Sequence, residues 1–183
     1  MKARAADYQA PLPLLGFAEQ LQTIFIHLHD SGMVHADVKP DNVCVSPSGG
    51  LVLIDFGESY TLPNRTPYAS GTLLYKGLCA HRCEPVGPRW DSQGLVYTMI
   101  QLYCGRLPWD YPRKKRDDDR ADHKVYFEKR VRSQPAHMRR FIETAAEGGP
   151  AWMVQLILDA WVCACRDDDY GMLDVIRRGQ ALL

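Results

Sequence analysis

Residues 35–57 read HADVKPDNVCVSPSGGLVLIDFG. Two short β-type runs, Val43–Val45 and Leu51–Ile54, flank Ser46-Pro47-Ser48-Gly49-Gly50, a cluster of turn formers. The stretch therefore reads as a β-hairpin. A hairpin returns both strand ends to one side, so Asn42, just before the first strand, and Asp55, just after the second, emerge together at its open end. His35, Asp37, Lys39 and Asp41 crowd the entry to the same hairpin. Polar groups so placed form one candidate site.

Outward from the hairpin the pattern turns helical. Phe17, Leu21, Ile24, Phe25 and Leu28 follow a 3.6-residue period, and Gly32 offers a stop. Met33-Val34 then runs extended towards His35. Residues 1–15 are punctuated by proline and predict an irregular segment with at most a short helical turn. Residues 58–90 are rich in Gly, Pro, Ser and Thr and predict a long irregular segment, the kind that is usually functional in a compact domain. Asp91–Tyr103 is apolar nearly all round, as a helix at the centre of a core should be, with Gly105 as its cap. The run Arg113-Lys114-Lys115-Arg116-Asp117-Asp118-Asp119-Arg120 neutralises itself and predicts a solvated loop. Further helices are expected near 122–132, 136–146, 151–165 and 170–181. The expected class is mainly α with a small β-hairpin element.

A chain of 183 residues suits one well-filled core. Acidic and basic residues balance at 22 each, so no global field favours nucleic acid or a membrane surface. No stretch approaches the ~20 apolar residues of a spanning helix, nor does the N-terminus carry a signal-like run. Six cysteines (Cys44, Cys79, Cys83, Cys104, Cys163, Cys165) lack the spacing of a zinc array and read as buried or incidental thiols. An intracellular protein, of cytoplasm or nucleus, is expected. Met33, Met99, Trp152 and Trp161 read as core filler, and His27, His29 and His123 as structural or surface residues.

His35-Ala36-Asp37-Val38-Lys39-Pro40-Asp41-Asn42, followed twelve residues after Asn42 by Ile54-Asp55-Phe56-Gly57, resembles the catalytic loop (35–42) and metal loop (55–57) of a eukaryotic-type protein kinase. Gly71-Thr72-Leu73-Leu74-Tyr75 is similar to the substrate-facing loop of Ser/Thr kinases. Within the superfamily, three stretches resemble the casein kinase 1 and vaccinia-related kinase group. They are Ala80-His81 where most kinases show Ala-Pro-Glu, Cys104-Gly105-Arg106-Leu107-Pro108-Trp109, and Arg166-Asp167-Asp168-Asp169-Tyr170. The resemblance implies a kinase C-lobe over residues 16–183, with an activation segment at 55–81. It implies ATP and Mg²⁺ as cofactors and a protein substrate. Asp37 would accept or orient the proton of the attacking hydroxyl, and Lys39 would offset charge on the phosphate. Thr72 would bridge Asp37 and Lys39. Asn42 and Asp55 would supply hard oxygen ligands for Mg²⁺. Phe56 would pack beneath the loop, Gly57 would permit the turn that aims Asp55, and Asp91 would tie down the catalytic-loop backbone. A plain helix N-cap is an equally compatible role for Asp91.

Two departures qualify that resemblance. Ala36 replaces the arginine that would grip a phosphorylated activation segment, so control by phosphorylation of Thr61, Thr66 or Tyr68 is not expected. No Gly-x-Gly-x-x-Gly occurs, and Lys2 is the only lysine before Lys39, so the N-lobe that clamps ATP from above is expected to be absent. The expected partner is then a separate N-lobe or a full kinase. Two rival functions follow from the same residues: a non-catalytic C-lobe module that docks on and regulates a full kinase, and a small-molecule phosphotransferase of the aminoglycoside-kinase type. Lys39-Pro40, Asp55-Phe56-Gly57 and Thr72 point away from the last.

Overall fold

The computed structural model describes residues 10–63, 71–110, 121–146 and 149–183, the side chains of 121–124 excepted. Helix α1 spans Pro11–Asp30, and its buried residues Leu14, Leu15, Ala18, Leu21, Gln22 and Phe25 share one face. It begins earlier than the sequence reading placed it. Pro11 occupies the first turn, where a missing N–H is no loss and the fixed φ suits a helix, so these prolines start α1 instead of breaking it. Gly32, at φ +74°, closes the end, its N–H donating to the His29 carbonyl (2.8 Å).

Strand β1 (Met33–Val34) leads into residues 35–42. Strands β2 (Val43–Val45) and β3 (Leu51–Leu53) form the expected antiparallel hairpin, with Val43 opposite Leu53. Strand β4 (Tyr60–Thr61) returns to pair with β1, Val34 opposite Tyr60. This second pairing draws the chain after Gly57 back beside His35, inside a stretch read as irregular. A single helical turn, α2 (Leu78–His81), follows.

Helix α3 (Arg89–Cys104) is the axis of the molecule, buried on every side from Trp90 to Ile100, and Gly105 caps it at φ +74°. Helices α4 (Ala121–Arg132), α5 (Pro135–Ala145), α6 (Ala151–Ala164) and α7 (Asp169–Gln180) fall where periodicity put them. Helices α1 and α6 lie against α3, and α7 packs across α1 and α6. Tyr97 anchors the centre, edge-on to Trp109 (centroids 4.7 Å) and stacked on Trp161 (5.5 Å). Trp161 is buried and Trp152 only partly so. Each large apolar side chain buried here contributes roughly 1.5–3 kcal/mol relative to exposure, which is what holds so polar a loop in place. The charged run 113–120 lies outside the described residues. No described helix is long and apolar enough to cross a membrane.

Candidate active site

The backbone at His35 and Ala36 is held from below by Asp91. This residue sits in the first turn of α3, not at its cap, and its carboxylate accepts the N–H of His35 (2.8 Å) and of Ala36 (2.7 Å). Ala36 has φ +66°, a left-handed conformation costly for a residue with a Cβ. Two hydrogen bonds to a buried carboxylate stabilise it. The N-cap role for Asp91 is thus replaced by the tie.

Beneath Asp91 lies a polar cluster that sequence reasoning missed. The nearly enclosed side chain of His29, on α1, bridges two carboxylates: Nε2 meets Asp91 Oδ2 (3.0 Å) and Nδ1 meets Asp169 Oδ2 (2.5 Å). Asp169 Oδ1 also accepts from the Ser92 hydroxyl (2.8 Å) and from Gln22 Nε2 (3.1 Å). Burial lowers the His29 pKa, but hydrogen bonds to Asp169 and Asp91, and their charges, outweigh it and raise it to about 9. An imidazolium with both N–H groups donating therefore joins α1, α3 and α7. No local pattern in the sequence marks it, because the members are separated by up to 147 residues.

His35 is fully buried. Its Nε2–H donates to the Ile54 carbonyl (3.0 Å), while Nδ1 accepts the Asp37 N–H (3.2 Å), which fixes the tautomer. The two motifs are thereby joined across the hairpin. The ring meets Phe56 edge-on at 4.8 Å, yet Phe56 stays 42% exposed instead of packing beneath the loop.

Asp37, Lys39, Asn42 and Thr72 converge. Lys39 Nζ donates to Asp37 Oδ2 (2.5 Å) and to Thr72 Oγ1 (2.6 Å). The Thr72 N–H donates to Asp37 Oδ1 (2.6 Å). Asn42 Nδ2 donates to the Asp37 carbonyl (2.9 Å) and to Oδ2 (3.0 Å). Burial pushes the Asp37 carboxyl up, but hydrogen bonds from Lys39 and Thr72 and the Lys39 charge hold it below the usual carboxylate range. Gly71 (φ +89°) lets this loop approach: a Cβ there would lie 2.5 Å from the Ala36 carbonyl oxygen.

Asp55 follows the last rung of the hairpin, where the Ile54 N–H donates to the Asn42 carbonyl (2.9 Å). The expected shared open end is therefore present. The turn is made differently, since the left-handed residue is Asp55 itself (φ 65°, ψ 68°) and not Gly57. Asp55 is exposed. Because Asn42 spends its amide N–H₂ on Asp37, its side-chain oxygen is the atom that would ligate a cation. Among the described residues no cluster of three His, Cys, Asp or Glu side chains could cage a metal. One amide oxygen and one exposed carboxylate are a donor set that fits Mg²⁺, which needs few protein ligands when phosphate oxygens complete its shell.

The protein kinase domain family matches residues 14–157, a span that contains Asp37, Lys39, Asn42, Asp55, Thr72 and Asp91 and ends before Asp169. The chain belongs to the protein kinase family. The proteins it is similar to include casein kinase 1 and vaccinia-related kinases. A probable casein kinase I homolog of Encephalitozoon cuniculi is 34% identical over 100 residues, covering 46% of this chain and 30% of that relative. A casein kinase 1-like protein of Oryza sativa subsp. japonica is 34% identical over 103 residues, covering 48% of this chain and 15% of the relative. The serine/threonine-protein kinase VRK1 of Caenorhabditis briggsae is 33% identical over 92 residues, covering 45% and 16%. The kinase chain described here thus spans less than a third of each of these relatives. Kinases of this family act on proteins with ATP and typically Mg²⁺.

Proposed function

We propose that residues 16–183 form the catalytic lobe of a Ser/Thr protein kinase, with a catalytic loop at 35–42, a metal loop at 55–57 and an activation segment at 55–81. The observation that carries this reading is the Lys39 ammonium, which bridges Asp37 and Thr72 while Thr72 and Asn42 hold the same carboxylate. Asp37, held ionised, orients the acceptor hydroxyl and takes its proton late, which suits a loose phosphoryl-transfer transition state better than a strong base would. Lys39 places a positive charge beside the point of transfer. Thr72 fixes both residues from the acceptor side. Mg²⁺ held by Asn42 and Asp55 would neutralise phosphate charge.

The cover for a bound nucleotide comes, in this reading, from polypeptide beyond the described residues, either of the same protein or of another chain. The exposed Phe56 ring beside exposed Asp55 supports it, because an apolar ring at a metal loop gains from being covered. The same surface would serve the alternative, a lobe that docks on and regulates a full kinase. Asp37→Asn separates the two: it abolishes a catalytic effect and leaves a docking effect intact.

The direct test is Mg²⁺-dependent ATP binding to the purified 183-residue chain, with Asp55→Asn as control. Saturable binding lost in the variant supports a working half-site. Absence of binding up to millimolar ATP in the presence of Mg²⁺ refutes independent nucleotide use by this chain.

A further inference from the structure

Lys129, on α4, is completely buried, and it belongs to none of the groups that surround Asp37. Its ammonium donates to the backbone carbonyls of Leu73 (2.7 Å) and Lys76 (2.6 Å). It lies 5.2 Å from the Tyr97 ring centroid and 5.5 Å from that of Trp109, two rings already locked together in the core. His81 Nε2 is 3.4 Å away. Burial first, then the charges of Lys129 and Lys76, hold the His81 imidazole down at about 3, so it offers a lone pair and not a second cation. Desolvating an ammonium is costly, and a core position with only a packing role would be better filled by methionine.

The Leu73 carbonyl belongs to the substrate-facing loop 71–75, and the Lys76 carbonyl follows directly after it. Its neighbours are gripped as well: Trp109 Nε1 donates to the Leu74 carbonyl (2.9 Å), and the Thr72 carbonyl accepts the N–H groups of Tyr75 and Lys76 (both 2.8 Å). The loop is therefore pinned by its backbone from below, while its Thr72 end is bound to Asp37 and Lys39.

We propose that Lys129 is a positioning residue for the acceptor side of the site: its buried ammonium, by holding the Leu73 and Lys76 carbonyls, sets where Thr72 and the acceptor-facing backbone stand relative to Asp37. The role in acceptor recognition rests on the kinase reading above; the positioning of the loop does not.

Hydrogen exchange of the full 183-residue chain tests it, comparing the parent with Lys129→Met, which keeps the volume and removes the charge, and with Lys129→Arg, which keeps a cation. Exchange at Tyr75 and Lys76 is expected to rise about tenfold to a hundredfold in Lys129→Met, the range carried by a hydrogen bond to a charged group. Helices α6 and α7 should be unchanged, and Lys129→Arg should restore part of the protection. Should Lys129→Met not fold, Lys129→Gln, which keeps an amide donor, is read the same way. Where the parent transfers phosphate to a Ser/Thr peptide library, KM for peptide should rise about tenfold in Lys129→Met at unchanged ATP affinity. A loop that exchanges as in the parent, or a loss of protection spread evenly over the molecule, overturns the proposal. A parent chain that transfers no phosphate but shows the localised exchange leaves the positioning role standing and removes the acceptor role.

Discussion

Asp91 Oδ1 accepts the N–H of Ala36 at 2.7 Å, and Ala36 is a residue forced to φ +66° immediately before Asp37. A strained backbone position and the carboxylate that stabilises it thus come from different elements, and the position of Asp37 depends on both. Strain of this kind persists only where the surroundings over-determine it.

Replacing Asp91 by alanine removes the tie and leaves the His29 imidazolium short of one counter-charge. The expected loss is about 3–5 kcal/mol, the range for removing one partner of a buried ion pair. Urea unfolding checks it. The double variant with His29→Gln should lose less than the sum of the single effects, because the two groups face one another.

The same cluster predicts a pH limit. His29 has a folded-state pKa of about 9, raised from an ordinary 6.5. A raised histidine contributes stability that is fully present below its unfolded pKa and is lost as pH rises through the folded one. The melting temperature should therefore fall between about pH 7 and pH 9, and His29→Gln should flatten that limb. Asp37 and Asp169 have depressed pKa values, so their contribution is present above the ordinary carboxylate range and is lost on acidification. A thermal melt series from pH 4 to 10 would show both edges; a flat alkaline side in the parent would refute the charged His29.

Gly71 and Gly105 both have positive φ, but only at Gly71 would a Cβ meet backbone, the Ala36 carbonyl. Gly105→Ala should cost about 1–2 kcal/mol, from conformation alone. Gly71→Ala adds a clash that must shift either Thr72 or the Ala36 backbone, so it should be the more destabilising, and it should disturb amide shifts of residues 36–37 by NMR. Equal effects at the two positions would contradict the close approach.

On the kinase reading, Asp37→Asn should lower phosphate transfer by about 10²–10⁴. Thr72→Ala removes one hydroxyl from Lys39 and should lower transfer about tenfold, with Thr72→Ser retaining most of it. Rates of transfer to peptide, measured with whatever upper lobe proves necessary, check the ranking. A Thr72→Ala variant as inactive as Asp37→Asn would assign Thr72 more than an orienting part.

What was legible in the sequence was local. The hairpin followed from alternating runs and a turn cluster, α3 from its all-round apolar pattern, and the four late helices from periodicity. The proximity of Asn42 and Asp55 followed from hairpin geometry alone. Prolines at 11 and 13 were read as breakers because their effect depends on where a helix begins, which propensity does not say. His29 and Asp169 could not be paired from sequence, since only packing of α1 against α7 brings them together. Lys129 resembled any other base on a charged amphipathic helix; that its face is the buried one depends on where α4 docks.

The β2–β3 hairpin has a use for protein engineering. Its paired ends carry Asn42 and Asp55, while its far end, Ser46–Gly50, is closed by its own hydrogen bonds, from the Ser46 N–H to the Gly50 carbonyl and from the Gly49 N–H to the Ser46 carbonyl. Extra residues spliced in at that tip would lengthen the loop and leave the rungs in register, whereas one residue added within β3 would turn Asp55 to the opposite face. The tip is thus a place to graft a reporter or an affinity handle, and a natural place for related chains to differ in length without losing their chemistry.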